Sequence, residues 1–124
     1  MRITGAQVFD VRQGFVSKDL CIAGEKIAQE ASDPVSAEGC YLIPGLTDLH
    51  FHGCVGEDFS DGDAEGLAKI AAYELSRGVT QICPAGMTLL EPQLAKICAV
   101  AAAHRAANVP GAELAGVHLE GPFL

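Results

Sequence analysis

Thr47 to Gly53 reads TDLHFHG and follows the apolar approach Tyr41-Leu42-Ile43-Pro44-Gly45-Leu46. Two histidines one residue apart close the run, with an aspartate two positions before the first. In a β-strand side chains alternate between faces, so Asp48, His50 and His52 share one face, and Leu49 and Phe51 take the other. Imidazoles at i and i+2 can both reach a divalent ion at about 2.0 to 2.1 Å. Asp48, one layer deeper, suits a supporting role in orienting an imidazole. Taken alone, H-x-H leaves two readings level: metal ligands, or a partly exposed pair of strand-end histidines.

The flanking sequence gives that strand a setting. After the Gly/Asp-rich loop GCVGEDFSDGD, a helix is expected from about residue 64 to 77, with Leu67, Ile70, Ala71 and Leu75 buried and Gly78 as its stop. VTQICPA reads as the next strand. Thr88-Leu89-Leu90-Glu91 matches a capping box, with Pro92 early in a second helix. That helix carries Leu94, Ile97, Cys98, Ala101 and Ala102 on one face and ends near Asn108. ELAGVHLEG is a third strand. The order β-α-β-α-β with short connections implies parallel strands with helices packed outside. Leu49 and Phe51 then lie under the helices, and the polar trio faces a barrel-like interior at the C-terminal strand ends, where catalytic groups collect.

The third strand bears on the histidines. VHLEGPFL puts His118 and Glu120 on one face, with Glu120 at the strand's end before Gly121-Pro122. A carboxylate there can ligate the same ion or bridge two. His118, a layer lower, also reads as a hydrogen-bonded core histidine. His104, late on the second helix beside Arg105, reads as a surface or helix-end residue complementing the dipole. Asp61 and Asp63 read as turn and N-cap residues, whereas Asp58 beside Phe59 sits in a loop that overhangs the strand ends. No serine or cysteine stands in a nucleophile elbow, and no glycine-rich phosphate loop precedes a helix.

Residues 1 to about 43 differ in character. RITGAQVFD, GFVSKDLCIAG and EKIAQE read as short strands, followed by a polar turn, ASDPVSAEG, and by CYLIPGL. They amount to part of a sandwich that needs more sheet to cover its apolar face. The boundary between the two regions is placed at 1–45 and 46–124.

Composition excludes several classes. The chain has 124 residues, a formal net charge of −8 and an apolar fraction of 49%. Such a surface repels phosphodiesters and anionic lipid, so neither nucleic-acid nor membrane partners are expected. The N-terminus MRITGAQVFD lacks the basic start and apolar core of a signal peptide, which makes cytoplasm the expected location. Five widely spaced cysteines without a C-x-x-C pair suit free thiols.

YLIPGLTDLHFHG resembles the opening of the first barrel strand of the amidohydrolase superfamily. GVHLEGPFL, with the H-x-H-G and GEDFSD segments, is similar to the narrower signature of the N-acetylglucosamine-6-phosphate deacetylases. The resemblance spans essentially the whole chain. It implies an α/β fold: strands of a small β-sandwich, then the first three βα units of a metal-dependent hydrolase (TIM-type) barrel. It implies Glu120 as a principal ligand and His50 and His52 as ligands, while the shared strand faces make Asp48 and His118 candidate supports. One or two divalent ions are implied, with zinc, iron, manganese or cobalt all compatible.

The implied reaction is hydrolysis of the N-acetyl group of N-acetylglucosamine 6-phosphate, a small amino-sugar phosphate, by a metal-activated water. A later aspartate would serve as general base. A homo-oligomer, a dimer, is implied for the full-length protein. An eight-stranded barrel takes on the order of 250 residues, and the further histidine ligands, the aspartate and the phosphate-binding groups are not among these 124. The expectation is therefore the N-terminal portion of such an enzyme, without turnover alone. Two alternatives stand beside it: a dihydroorotase-like or dipeptidase-like amidohydrolase, and a non-catalytic fragment that assembles with a complementary chain.

Overall fold

The computed structural model describes residues 1–123. The chain divides into two compact units, Met1–Pro44 and the residues from Gly45 onward.

The first unit is all β: β1 (Arg2–Thr4), β2 (Gln7–Asp10), β3 (Gly14–Ser17), β4 (Leu20–Ala23), β5 (Lys26–Ala28), β6 (Pro34–Ser36) and β7 (Tyr41–Leu42). They form two small sheets, ordered β5-β4-β1-β6 and β3-β2-β7. Ala6 and Val8 are its fully buried apolar residues, a small core for two sheets. Ile3, Val8, Leu20, Ile22 and Leu42 line an open apolar groove of about 510 Å³. β6 corrects the sequence reading, which took ASDPVSAEG for a turn. It pairs in parallel with β1, yet Pro34, Val35 and Ser36 are all exposed, so the alternation that marks a half-buried strand is missing. Proline at the first position of an edge strand costs no ladder bond.

The second unit runs β8 (Leu46–Asp48), β9 (Gly53–Cys54), β10 (Glu57–Asp58), a 3-10 turn (Phe59–Asp61), α1 (Ala64–Ser76), β11 (Val79–Ile82), β12 (Ala85–Gly86), α2 (Glu91–Ala107), β13 (Glu113–Leu114) and β14 (His118–Leu119). β8, β11 and β13 form a parallel sheet with β11 in the middle. Beyond Pro84 the same strands continue as β12 paired in parallel with β14. α1 and α2 pack on each other, on β11 and on β13. Phe59, Leu67, Ala71, Ile82, Leu94, Ile97, Ala101 and Leu114 make the core.

Asp63 caps α1 by accepting the Gly66 N–H at 2.6 Å, and Gly78, at φ 86°, follows the helix end. α2 corrects the expected cap. Its N-cap is Leu90, not Thr88, and the Gln93 side chain accepts the Leu90 N–H at 3.3 Å. Its buried stripe is Leu94, Ile97, Ala101 and His104, while Cys98 is exposed. Steps of three, four and three bring His104 onto the face that Leu94 begins, so the helix end buries it. On α1, Leu75 is likewise exposed.

Candidate metal centre

Asp48 ends β8. Its Oδ1 accepts the backbone N–H of His50 at 3.0 Å, a local bond that competes with the sheet ladder. The expected strand over Leu46–His52 therefore stops four residues early. Strict alternation stops with it: Leu49 is 69% exposed rather than covered by a helix, whereas Phe51 packs against the core. Pairing with the middle strand resumes at Phe51, whose carbonyl accepts the Ala85 N–H at 2.7 Å. Asp48 thus acts on the His50 backbone, not on an imidazole.

His52 is held at two points. Its carbonyl accepts the Phe59 N–H at 2.7 Å, and its Nδ1 lies 3.1 Å from the Ala85 carbonyl. A carbonyl can only accept, so Nδ1 carries the proton and Nε2 presents a lone pair. Gly53 follows because nothing larger fits. A Cβ there would collide with the Glu57 carbonyl, where β10 folds back on β9. The loop read as irregular is this hairpin, turned by Val55 and Gly56, both at positive φ. Asp58 caps the 3-10 turn by accepting the Ser60 N–H at 2.7 Å. Its role is structural, as is that of Asp63.

Glu120 arrives from the far side of the middle strand, fixed by its N–H donating to the Gly86 carbonyl at 3.1 Å. His50 Nε2 and His52 Nε2 each lie 3.3 Å from the same Glu120 Oε1. Their ligand-type atoms all fall within 4.8 Å of one another. Two ligand atoms, each about 2.1 Å from one tetrahedral ion, would stand about 3.4 Å apart. Either a proton on Nε2 or a cation between the two groups would satisfy the approach of His52 to Glu120. The spacing of the donor set fits a divalent ion. His118 lies outside the trio, its ring packed edge-on at 4.6 Å from that of His50.

Other reactive groups stand apart. All five cysteines are free, and burial with the adjacent Glu74 pushes the Cys54 thiol up to about 11, so it stays protonated and inert. The apolar recess of about 440 Å³ along α2, lined by Cys98, Ala101, Arg105 and Val117, holds no ligand cluster.

Fold and donor set together define a class: an α/β chain whose parallel strand ends gather two imidazoles and a carboxylate, a set able to hold one divalent ion. No protein-family model matches the chain. It is 31% identical to the Bos taurus N-acetylglucosamine-6-phosphate deacetylase over 125 residues, which covers 98% of this chain and 28% of the relative. The Thermotoga maritima N-acetylglucosamine-6-phosphate deacetylase structure superposes with a TM-score of 0.82 at 27% identity, covering 100% of this chain and 33% of its own. A Mycobacterium smegmatis aspartate-to-alanine variant of the same enzyme, solved with N-acetyl-D-glucosamine-6-phosphate, gives a TM-score of 0.76 at 24% identity, covering 100% of this chain and 33% of its own. The chain thus spans about a third or less of the length of these relatives.

In sequence and fold, this chain is similar to the N-terminal portion of N-acetylglucosamine-6-phosphate deacetylases. The resemblance is therefore to an enzyme, an amidohydrolase. The comparisons favour neither the dihydroorotase-like nor the dipeptidase-like alternative.

Proposed function

We propose that His50, His52 and Glu120 are metal ligands of an N-acetylglucosamine-6-phosphate deacetylase. One observation carries this reading: two imidazoles from one strand end and a carboxylate from another converge on a single oxygen at 3.3 Å. Residues 46–124 are then the first three βα units of a (β/α)8 barrel. Residues 1–45 are the opening strands of a small β-sandwich. The open apolar groove between Val8, Leu20, Ile22 and Leu42 supports that part, because such a face needs further sheet to cover it.

The reaction is hydrolysis of the N-acetyl amide of N-acetylglucosamine 6-phosphate to glucosamine 6-phosphate and acetate. The names of the relatives support it, as does the sugar phosphate bound to the mycobacterial variant. When bound, a divalent cation supplies Lewis acidity to the amide carbonyl and acidifies a water. The residues of this chain hold it. Glu120 contributes the negative charge, and His52, its proton kept on Nδ1 by the Ala85 carbonyl, offers Nε2. His50 offers its own Nε2, with Asp48 fixing its backbone and His118 packing against its ring.

The general base and the phosphate-binding groups lie outside these 124 residues, so the chain alone does not turn over. Equilibrium dialysis against Co²⁺ tests the assignment: the chain should retain the ion, and Glu120→Gln should weaken retention at least about tenfold. Equal retention by Glu120→Gln would remove the assignment.

A further inference from the structure

We infer that the Gly53–Asp61 segment is a strut for the His52 imidazole and that Ser60 is its positioning residue. The two histidines are held differently. His50 donates its backbone N–H to Asp48, and its ring is packed against that of His118 without a backbone acceptor among the described residues. His52 is fixed at both its carbonyl and its ring. The carbonyl receives the Phe59 N–H at 2.7 Å, and the ring donates to the Ala85 carbonyl at 3.1 Å. The hydroxyl of the next residue, Ser60, accepts the Met87 N–H at 3.1 Å, two residues beyond Ala85. Consecutive residues therefore grip both sides of the imidazole's hydrogen bond. Phe59 holds the backbone that carries the donor, and Ser60 holds the strand that carries the acceptor.

The strut itself is braced on three sides. The Phe59 side chain is 2% exposed in the core. Lys96 of α2 donates to the Asp61 carbonyl at 2.8 Å, and Lys69 of α1 donates to Glu57 at 2.6 Å. With the loop braced in this way, it sets the distance from His52 to Ala85 and with it the nitrogen that faces Glu120. A ligand set in this way needs no reorganisation when an ion arrives, and partners that orient a ligand typically carry 10- to 100-fold in metal affinity.

The inference rests on reading His52 as a ligand, and the test separates the two. In the full 124-residue chain, long-range ¹H–¹⁵N NMR without metal reads the His52 tautomer, and Co²⁺ titration reads affinity. The wild-type chain should show one tautomer, protonated at Nδ1. Ser60→Ala should mix the tautomers of His52 but not of His50 and weaken Co²⁺ binding about tenfold. Ser60→Thr, which keeps the hydroxyl, should restore both. A fixed tautomer freed by Ser60→Ala in a chain that binds no Co²⁺ would uphold the strut and discard the metal assignment. Unchanged tautomer and affinity in Ser60→Ala, or rapid tautomer exchange in the wild type, would overturn the strut.

Discussion

Val55 has φ 51° in the turn of the β9–β10 hairpin, and Gly56 beside it has φ 83°. Turns of this kind ask for positive φ at both central positions, which asparagine-glycine meets well and a β-branched residue meets badly. Val55 is 54% exposed, so no burial offsets the strain. Val55→Asn should stabilise the chain by roughly 1 kcal/mol, read as a higher urea midpoint with unchanged slope; a lower midpoint would contradict the turn assignment. At this scale the candidate ligands were legible and their supports were not. His50, His52 and Glu120 announce themselves by residue type at strand ends. Nothing in TDLHFHG says that Asp48 spends its carboxylate on the His50 N–H, or that a backbone carbonyl at Ala85 selects the His52 tautomer. Those partners come from folding, and one of them has no side chain to read.

α2 shows what helical spacing carries and what it hides. Leu94, Ile97 and Ala101 were legible as a core face, but His104 continues that face and was read as exposed because histidine beside arginine at a helix end looks solvent-facing. Burial lowers its pKa below the ordinary 6.5, since the imidazolium loses hydration. Above 6.5 the folded and unfolded chains are both neutral there. As pH falls through 6.5, the unfolded chain takes up a proton that the folded one resists, so stability drops until the lower folded value is passed. Arg105 of α2 and Glu113 of β13 line the same recess. The urea midpoint should fall as the pH drops below 6.5, and His104→Leu should lessen that fall. An identical pH profile in the variant would place the titration elsewhere. The same blind spot covers β6, which pairs by backbone alone and shows no pattern of side chains.

Over the whole molecule, the order of parallel strands and helices from Leu46 was legible, because short connections between strand-like and helix-like stretches leave few topologies. No helix of the described residues is long and apolar enough to cross a membrane. Mixing the chain with a separately expressed C-terminal portion of a relative should restore acetate release from N-acetylglucosamine 6-phosphate, while either half alone should release none. Release by the 124-residue chain alone would refute the division of labour proposed above.

The layout has a mechanical corollary. The histidines lie just beyond the end of one outer strand and Glu120 just beyond the end of the other, with β11 and β12 between them. A cation shared by the two ends would act as a clasp, closing a chain loop that contains both helices. The entropy of closing so long a loop grows only slowly with its length, while tight binding to the folded form alone adds stability in proportion to the logarithm of ion concentration. Metal supply would then set how much of this unit stays folded.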